Sequence, residues 1–295
     1  YDVIFPLSLK SFVSFSKYRS LLSKDLKIVI PPKDSMQIAY NKDQTFTHAK
    51  KNGIATPVTI NLKKNNLSNH KSFFKNTNFP YVLKGSLSGI NNVIFCNNIK
   101  QLLSGAKELL KNEKTIVCQE YVVGDTHGFY AYYQNDKLHS YFMHKRVKEY
   151  PITGGPSSVA RSHYDDKLRI VSEKLLDSLN WNGPAMVEFK LDQNLNEYKL
   201  IEINPKLWGS LDLTISAGVN IPKIMLHHSL DKTFKSSLHY KDIYYRWVFP
   251  NEFMHNLASD FNVEKLEDGV KVETNILKED MLPTFFQFSL AIFKS

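Results

Sequence analysis

Residues 185–205 read AMVEFKLDQNLNEYKLIEINP. The two ends, AMVEFKLD (185–192) and YKLIEINP (198–205), read as strands, and the polar QNLNE between them is a turn, so the stretch predicts a β-hairpin. Glu202 and Asn204 are two residues apart and share one face of their strand, and across a hairpin Glu188 can lie beside them. Their neighbours Met186, Val187, Phe189, Leu200, Ile201 and Ile203 are apolar. Two carboxylates converging in such surroundings raise each other's pKa unless a cation lies between them. Oxygen-only ligands suit Mg2+ or Mn2+, and Mg2+ is usually shared with substrate phosphates. Taken alone, the pattern also fits the solvated outer face of a sheet.

Working outward, Lys84 sits near the end of FPYVLKG (79–85), just before the small-residue turn SLSG (86–89). A lysine there can reach a phosphate while backbone N–H groups of the turn approach it, and a surface lysine before a turn is the plainer alternative. The turn lacks the GKS or GKT ending of a P-loop. The apolar strand TIVCQEYV (115–122), followed by Gly124, can serve as a hinge whose backbone meets an adenine edge, or simply be a strand with an exposed end.

The remaining pattern mixes helices and hairpins. A helix is expected over 40–53, with Asn41 as N-cap and Gly53 as the stop, and others over 98–112, 165–180 and near 219–230. Paired strands are expected at 79–96 and 128–145, the second pair turning at QNDK (134–137), followed by the loop YPITGGPSS (150–158) and a later strand YYRWVFP (244–250). This predicts α+β lobes, not one doubly wound sheet. At the front, strands in YDVIFPLS (1–8) and DLKIVIP (25–31) flank a short helix over 8–24, and the expectation is that the chain begins partway through a larger α/β domain.

The 295 residues, 42% apolar and 23% charged, are enough for a sizeable core. Only Cys96 and Cys118 are present, which argues against a disulfide-stapled fold and a cysteine zinc site. The ten histidines show no His-x-x-x-His spacing. No run of 18 apolar residues occurs, so no transmembrane helix is expected. The net charge of +9 favours anionic ligands. The lysine-rich stretches at 63–75 and 107–114 carry no nucleic-acid motif and are read as solvated surface. The aromatic tail FFQFSLAIF (285–293) is too short to span a bilayer and is read as packing on the neighbouring lobe or as a homodimer contact.

Six strings in order, NKDQTFTHAKKNGIATP (41–57), FPYVLKGSLSG (79–89), VCQEYVVGD (117–125), KRVKEYPITGGPSSVARS (145–162), WNGPAMVEFKLD (181–192) and LIEINPKLWGSLDL (200–213), make the chain resemble the ATP-grasp superfamily. The nearest branch is that of carbamoyl-phosphate-synthase-like, or carboxylate–amine, ligases. The resemblance implies an α+β ATP-grasp fold, with two α+β lobes clasping ATP: a remnant of an N-terminal α/β domain (1–40), a small lobe (41–118) and a large lobe (119–295). It implies ATP and Mg2+ (or Mn2+) as cofactors, and Glu188, Glu202 and Asn204 as the metal ligands. Lys42 and Lys84 match the phosphate-binding lysines, and Ser86 to Gly89 the loop over the phosphates. Within the strand end Gln119, Glu120, Tyr121 and Val122, expected to bind the nucleotide, Glu120 and Val122 match the adenine hinge. His127 stands at the ribose position, often glutamate in relatives, with Asp125 as a substitute. Arg146 and Arg161 match the arginines near the transferred phosphate and the acyl group, and Lys206 stands where arginine often follows Asn-Pro. The implied activity is an ADP-forming ligase that joins a carboxylate to an amine through an acyl phosphate. Small-molecule partners are expected in the cytoplasm, without nucleic acid or membrane insertion. A small-molecule kinase on the same fold and a nucleotide binder without catalysis are the alternatives.

Overall fold

The structure, a computed structural model, describes residues 3–70, 74, 78–87, 93–152, 155–232, 234, 238–259, 265–276 and 279–286. Helices α1 (Leu9–Lys17), α2 (Lys33–Tyr40) and α3 (Lys42–Lys51) lead into β1 (Thr59–Leu62), β2 (Tyr81–Gly85), β3 (Val93–Cys96), α4 (Ile99–Leu109) and β4 (Ile116–Glu120). Then come β5 (Thr126–Gln134), β6 (Lys137–Glu149), β7 (Ser157–Ser162), α5 (Asp166–Asp177), β8 (Gly183–Asp192) and β9 (Glu197–Asn204). The chain continues through α6 (Leu211–Ser216), α7 (Ile221–Ser229), β10 (Ile243–Arg246), α8 (Phe253–Ala258) and β11 (Lys271–Thr274).

Two sheets form. The first has the order β1-β4-β2-β3 and is antiparallel throughout. Leu83, Cys96, Ile116 and Cys118 on one face pack against Leu102, Ala106 and Leu109 of α4, the helix whose apolar residues recur at helical spacing. The opposite face carries Lys84 and Gln119. The second sheet has the order β11-β10-β7-β6-β5-β8-β9. One face, with Phe129, Ala131, Met143, Val187 and Phe189, packs on Leu168, Leu175 and Leu176 of α5 and on Ala39 and Ala49 of α2 and α3. The other face, with Tyr130, Tyr132, Phe142, Met186 and Ala160, packs on Leu213 of α6 and Ile221, Ile224 and Met225 of α7.

The expected hairpins are all present, but several details differ from the sequence reading. The front strands reduce to a single parallel bridge, Val3 to Lys27, and the segment after it packs on the large sheet, with Val29 in the Tyr130 cluster and Asn182 Nδ2 donating to Ile30 O at 3.1 Å. The helix expected over 40–53 is α3, with Asn41 at its N-cap position and α2 directly before it. The Asn41 side chain makes no cap bond, because its Nδ2 donates backwards to Gln37 O at 2.8 Å. The strand expected over 244–250 ends at Arg246, and a π-helical turn (Val248–Glu252) leads into α8. No helix among the described residues is long and apolar enough to cross a membrane. Of the aromatic tail only Phe285 and Phe286 are described, and both are exposed. The rest of the tail lies outside the described residues.

Candidate functional site

In an antiparallel pair, residues directly opposite each other share a face. Glu188 of β8 is paired with Glu202 of β9 on one side and with Gly128 of β5 on the other, while Met186 is paired with Asn204. The two glutamates and Asn204 therefore lie on one face of the large sheet. Their side chains are mostly buried, 12% exposed for Glu188 and 25% for Glu202. Asn204 Nδ2 donates to Glu202 Oε1 at 2.6 Å. That bond fixes the amide so that its oxygen is left as an acceptor.

Cations flank the pair from both sides. Lys42 opens α3, which packs beside β9, and its Nζ lies 3.7 Å from Glu202 Oε2 and donates to Leu87 O at 3.2 Å. Lys84 reaches in from the small sheet, donating to Gln119 Oε1 at 3.3 Å. Arg146 comes from β6 on the other side: one Nη donates to Glu188, and the other to Glu149 Oε2 at 3.1 Å and Gly155 O at 2.7 Å. Electrostatics follow from this packing. Burial raises the Glu188 carboxyl above the ordinary range, and Glu202 adds to the rise while Arg146 and Lys84 oppose it. Burial also acts upward on Glu202, but Lys42, the Asn204 amide, Lys84 and Arg146 together hold it below the ordinary range. Burial lowers Lys84, against the pull of Glu202 and Glu188 and with the repulsion of Lys42 and Lys190. Burial opposes the Arg146 charge, yet Glu188, Tyr130 and Glu149 raise its pKa, so it stays ionised.

The donor set suits a hard divalent cation: two carboxylates and an amide oxygen, all oxygen, on one face. Among the described residues no group of three His, Cys, Asp or Glu side chains could hold a metal by itself. A cation here would need Asn204 and oxygens from a ligand.

Other expected residues fall as follows. Ser86 is at the site's edge, its carbonyl accepting the Lys42 amide at 2.9 Å, and Gly89 lies outside the described residues. Gln119 is buried beside Lys84 and donates to Thr59 Oγ1 at 3.1 Å. In the stretch expected to be the hinge, the Glu120 amide donates to Val58 O and the Tyr121 amide to Pro80 O, while Val122 is buried. Lys206 is half-buried near Glu202, its Nζ donating to Leu207 O at 3.3 Å, and burial lowers its pKa.

The sheet's alternation does not bring two of the expected residues to the glutamates. Arg161 and His127 are both paired with Lys145, so they lie on the face opposite the glutamates. Arg161 is engaged there by Asp242, Glu267 and Tyr244. His127 is buried against His163 and Tyr198, with both ring nitrogens lacking a hydrogen-bond partner, and burial lowers its pKa to about 4. Asp125 is exposed at the start of β5, and its charge acts on His127.

Sequence reasoning missed several residues. Lys190, Lys199 and Glu149 stand at the site, and so does a buried triad in which His144 Nε2 lies 2.5 Å from Tyr130 Oη and 2.9 Å from Ser210 Oγ. Lys190 was legible, since it lies two residues beyond Glu188 on one strand. Gly128 makes the triad feasible. A Cβ there would lie 2.3 Å from the Tyr130 hydroxyl oxygen. Gly128→Ala is therefore expected to cost about 1–3 kcal/mol through overpacking, measured as a lower denaturant midpoint. The same change in a Tyr130→Ala background should cost much less.

Residues 138–248 match a family model described as an ATP-grasp in the biosynthetic pathway with Ter operon. The L-amino acid ligase of Bacillus licheniformis superposes with a TM-score of 0.62 at 18% identity, covering 81% of this chain and 60% of that one. The chain has the ATP-grasp fold. The biotin carboxylase domain of Hydrogenobacter thermophilus 2-oxoglutarate carboxylase, in complex with MgADP, ADP and hydrogen carbonate, superposes with a TM-score of 0.68 at 15% identity, covering 82% of this chain and 57% of that one. The carboxyaminoimidazole ribonucleotide synthase of Aspergillus clavatus, complexed with ATP, gives a TM-score of 0.64 at 16% identity, with coverages of 79% and 61%. The chain thus spans about three fifths of the length of these structures. A search of curated proteins found no match.

Proposed function

We propose that this chain is the nucleotide-binding part of an ATP- and Mg2+-dependent ligase (Mn2+ would serve equally) that joins a carboxylate to an amine through an acyl phosphate. The observation that carries this reading is the Glu188–Glu202 pair with Asn204, flanked by Lys42 and Lys84 on one side and Arg146 on the other. Cations on both sides of a carboxylate pair suit a polyphosphate on one side and an anionic acceptor on the other.

The chemistry needs positioning more than a protein nucleophile. A carboxylate oxygen attacks the γ-phosphorus as the bond to ADP breaks. The amine nitrogen then attacks the acyl carbon, phosphate leaves, and the nitrogen loses a proton. Lys42 and Lys84, from the small lobe (41–118), neutralise the triphosphate, with Ser86 beside them. Glu120 to Val122 hold the base. Arg146, from the large lobe (119–295), holds the transferred phosphoryl group and the attacked carboxylate, with Lys206 adding charge. Glu188, Glu202 and Asn204 would hold Mg2+, which when bound neutralises charge between phosphate oxygens. Arg161, His127 and Asp125 have no part in this scheme. The reading places the protein in the cytoplasm, with ATP and small-molecule partners.

The test is an ADP-release screen with amino acids, peptides and sugar acids, with hydroxylamine standing in for the amine. A hydroxamate is expected. A phosphorylated alcohol with no hydroxamate from any carboxylate would make the protein a kinase instead. Lys84→Ala should weaken ATP by about 1.5–3 kcal/mol, the size of a hydrogen bond to a charged group, and leave adenosine unchanged. Calorimetric titration that finds equal losses for both ligands would remove Lys84 from the phosphates.

A further inference from the structure

Lys190 and Lys199 are neighbours across the β8–β9 hairpin, and Lys190 is also paired with Thr126 of β5. The two lysines meet different surroundings. Lys199 Nζ is held by Glu120 Oε1 and Asp192 Oδ2, each at 2.8 Å. Among the described residues no carboxylate pairs with Lys190. Its ammonium lies 4.7 Å from the centroid of the Tyr121 ring, and its charge is felt by Lys84. Lys190 therefore stands between the hinge and the lysine assigned to the outer phosphates, on the same face as Glu188. The residues that the sequence suggested for this stretch, His127 and Asp125, do not stand there: His127 is on the opposite face.

A ligand whose base meets the hinge and whose outer phosphates meet Lys84 must lay its sugar and innermost phosphate across the space between them. A cation over a tyrosine ring is held less strongly than one bonded to a phosphate, so Lys190 has reason to leave Tyr121 when a phosphate arrives. We propose that Lys190 binds the innermost phosphate of the nucleotide, so that the pocket recognises a nucleoside monophosphate unit separately from the outer phosphates. This inference rests on the nucleotide reading of the site.

The experiment is a titration of wild type, Lys190→Met, Lys190→Arg and Lys84→Met with adenosine, AMP, ADP and adenylyl imidodiphosphate, with thermal melts to confirm folding. Lys190→Met is expected to weaken AMP, ADP and the ATP analogue by a common factor of about tenfold or more, with adenosine unchanged. Lys190→Arg should restore most of the loss, and Lys84→Met should leave AMP untouched. If Lys190→Met weakens adenosine as much as AMP, the lysine acts by packing on Tyr121 and the proposal fails. It also fails if AMP binding is unchanged while wild type binds all four. Wild type that binds none of them overturns the nucleotide reading itself.

Discussion

Glu202→Gln is expected to lower ADP formation by on the order of 10³-fold while the protein remains folded. Glu202 is the carboxylate with the strongest reason to stay ionised: Lys42, the Asn204 amide, Lys84 and Arg146 all act on it, and its pKa is lowered despite burial. Glutamine keeps the shape and an acceptor for Asn204 Nδ2, so the hairpin should persist. It removes the negative charge that a divalent cation needs and that balances Lys42 and Lys84. Mg2+-dependent ADP release and a thermal melt, measured together, separate the two effects. A folded variant with near-normal Mg2+-dependent turnover would remove Glu202 from the metal site.

The second large effect is expected at Arg146. Its guanidinium reaches Glu188, Glu149 and Gly155 O at once. A lysine in its place is a single point donor and cannot hold a planar fork of acceptors. Arg146→Lys should therefore lose about 10²-fold or more in turnover and keep nucleotide affinity, because the contact matters chiefly in the transition state. Steady-state rates alongside ADP titrations test this. A variant in which affinity and turnover fall together would instead give Arg146 a role in organising Glu188 before any ligand binds.

Much of the site was readable because strands alternate. The two-residue spacing of Glu202 and Asn204, and the turn between β8 and β9, placed three oxygen-bearing side chains on one face from sequence alone, and their pairing in the sheet agrees. Lys190 obeys the same spacing. Lys199 does not: it is three residues before Glu202, which by alternation alone puts it on the opposite face. A bulge at Ile201, where Glu188 pairs with Glu202 but Phe189 with Leu200, shifts the register and returns Lys199 to the side of Lys190 and Glu120. Bulges depend on the partner strand, so one strand's sequence does not announce them. Arg146 and Arg161 look alike in sequence, yet one faces Glu188 and the other Asp242, because the pairing of β6 with β7 sets which face each takes.

By itself the sequence determined the α+β class, the hairpins and the residue types of the carboxylate centre, since these rest on short-range periodicity and turn chemistry. Lys42, Lys84 and Arg146 were named by the resemblance, but that they converge on that centre, and that Arg161 does not, was settled by the tertiary structure. Lys42 arrives from a helix, Lys84 from a second sheet and Arg146 from a strand two places away, and separations of that kind along the chain carry no local signal. It also decided that His127 belongs to the other face. A histidine's side is set by the register of the strands beside it, not by its place in a motif.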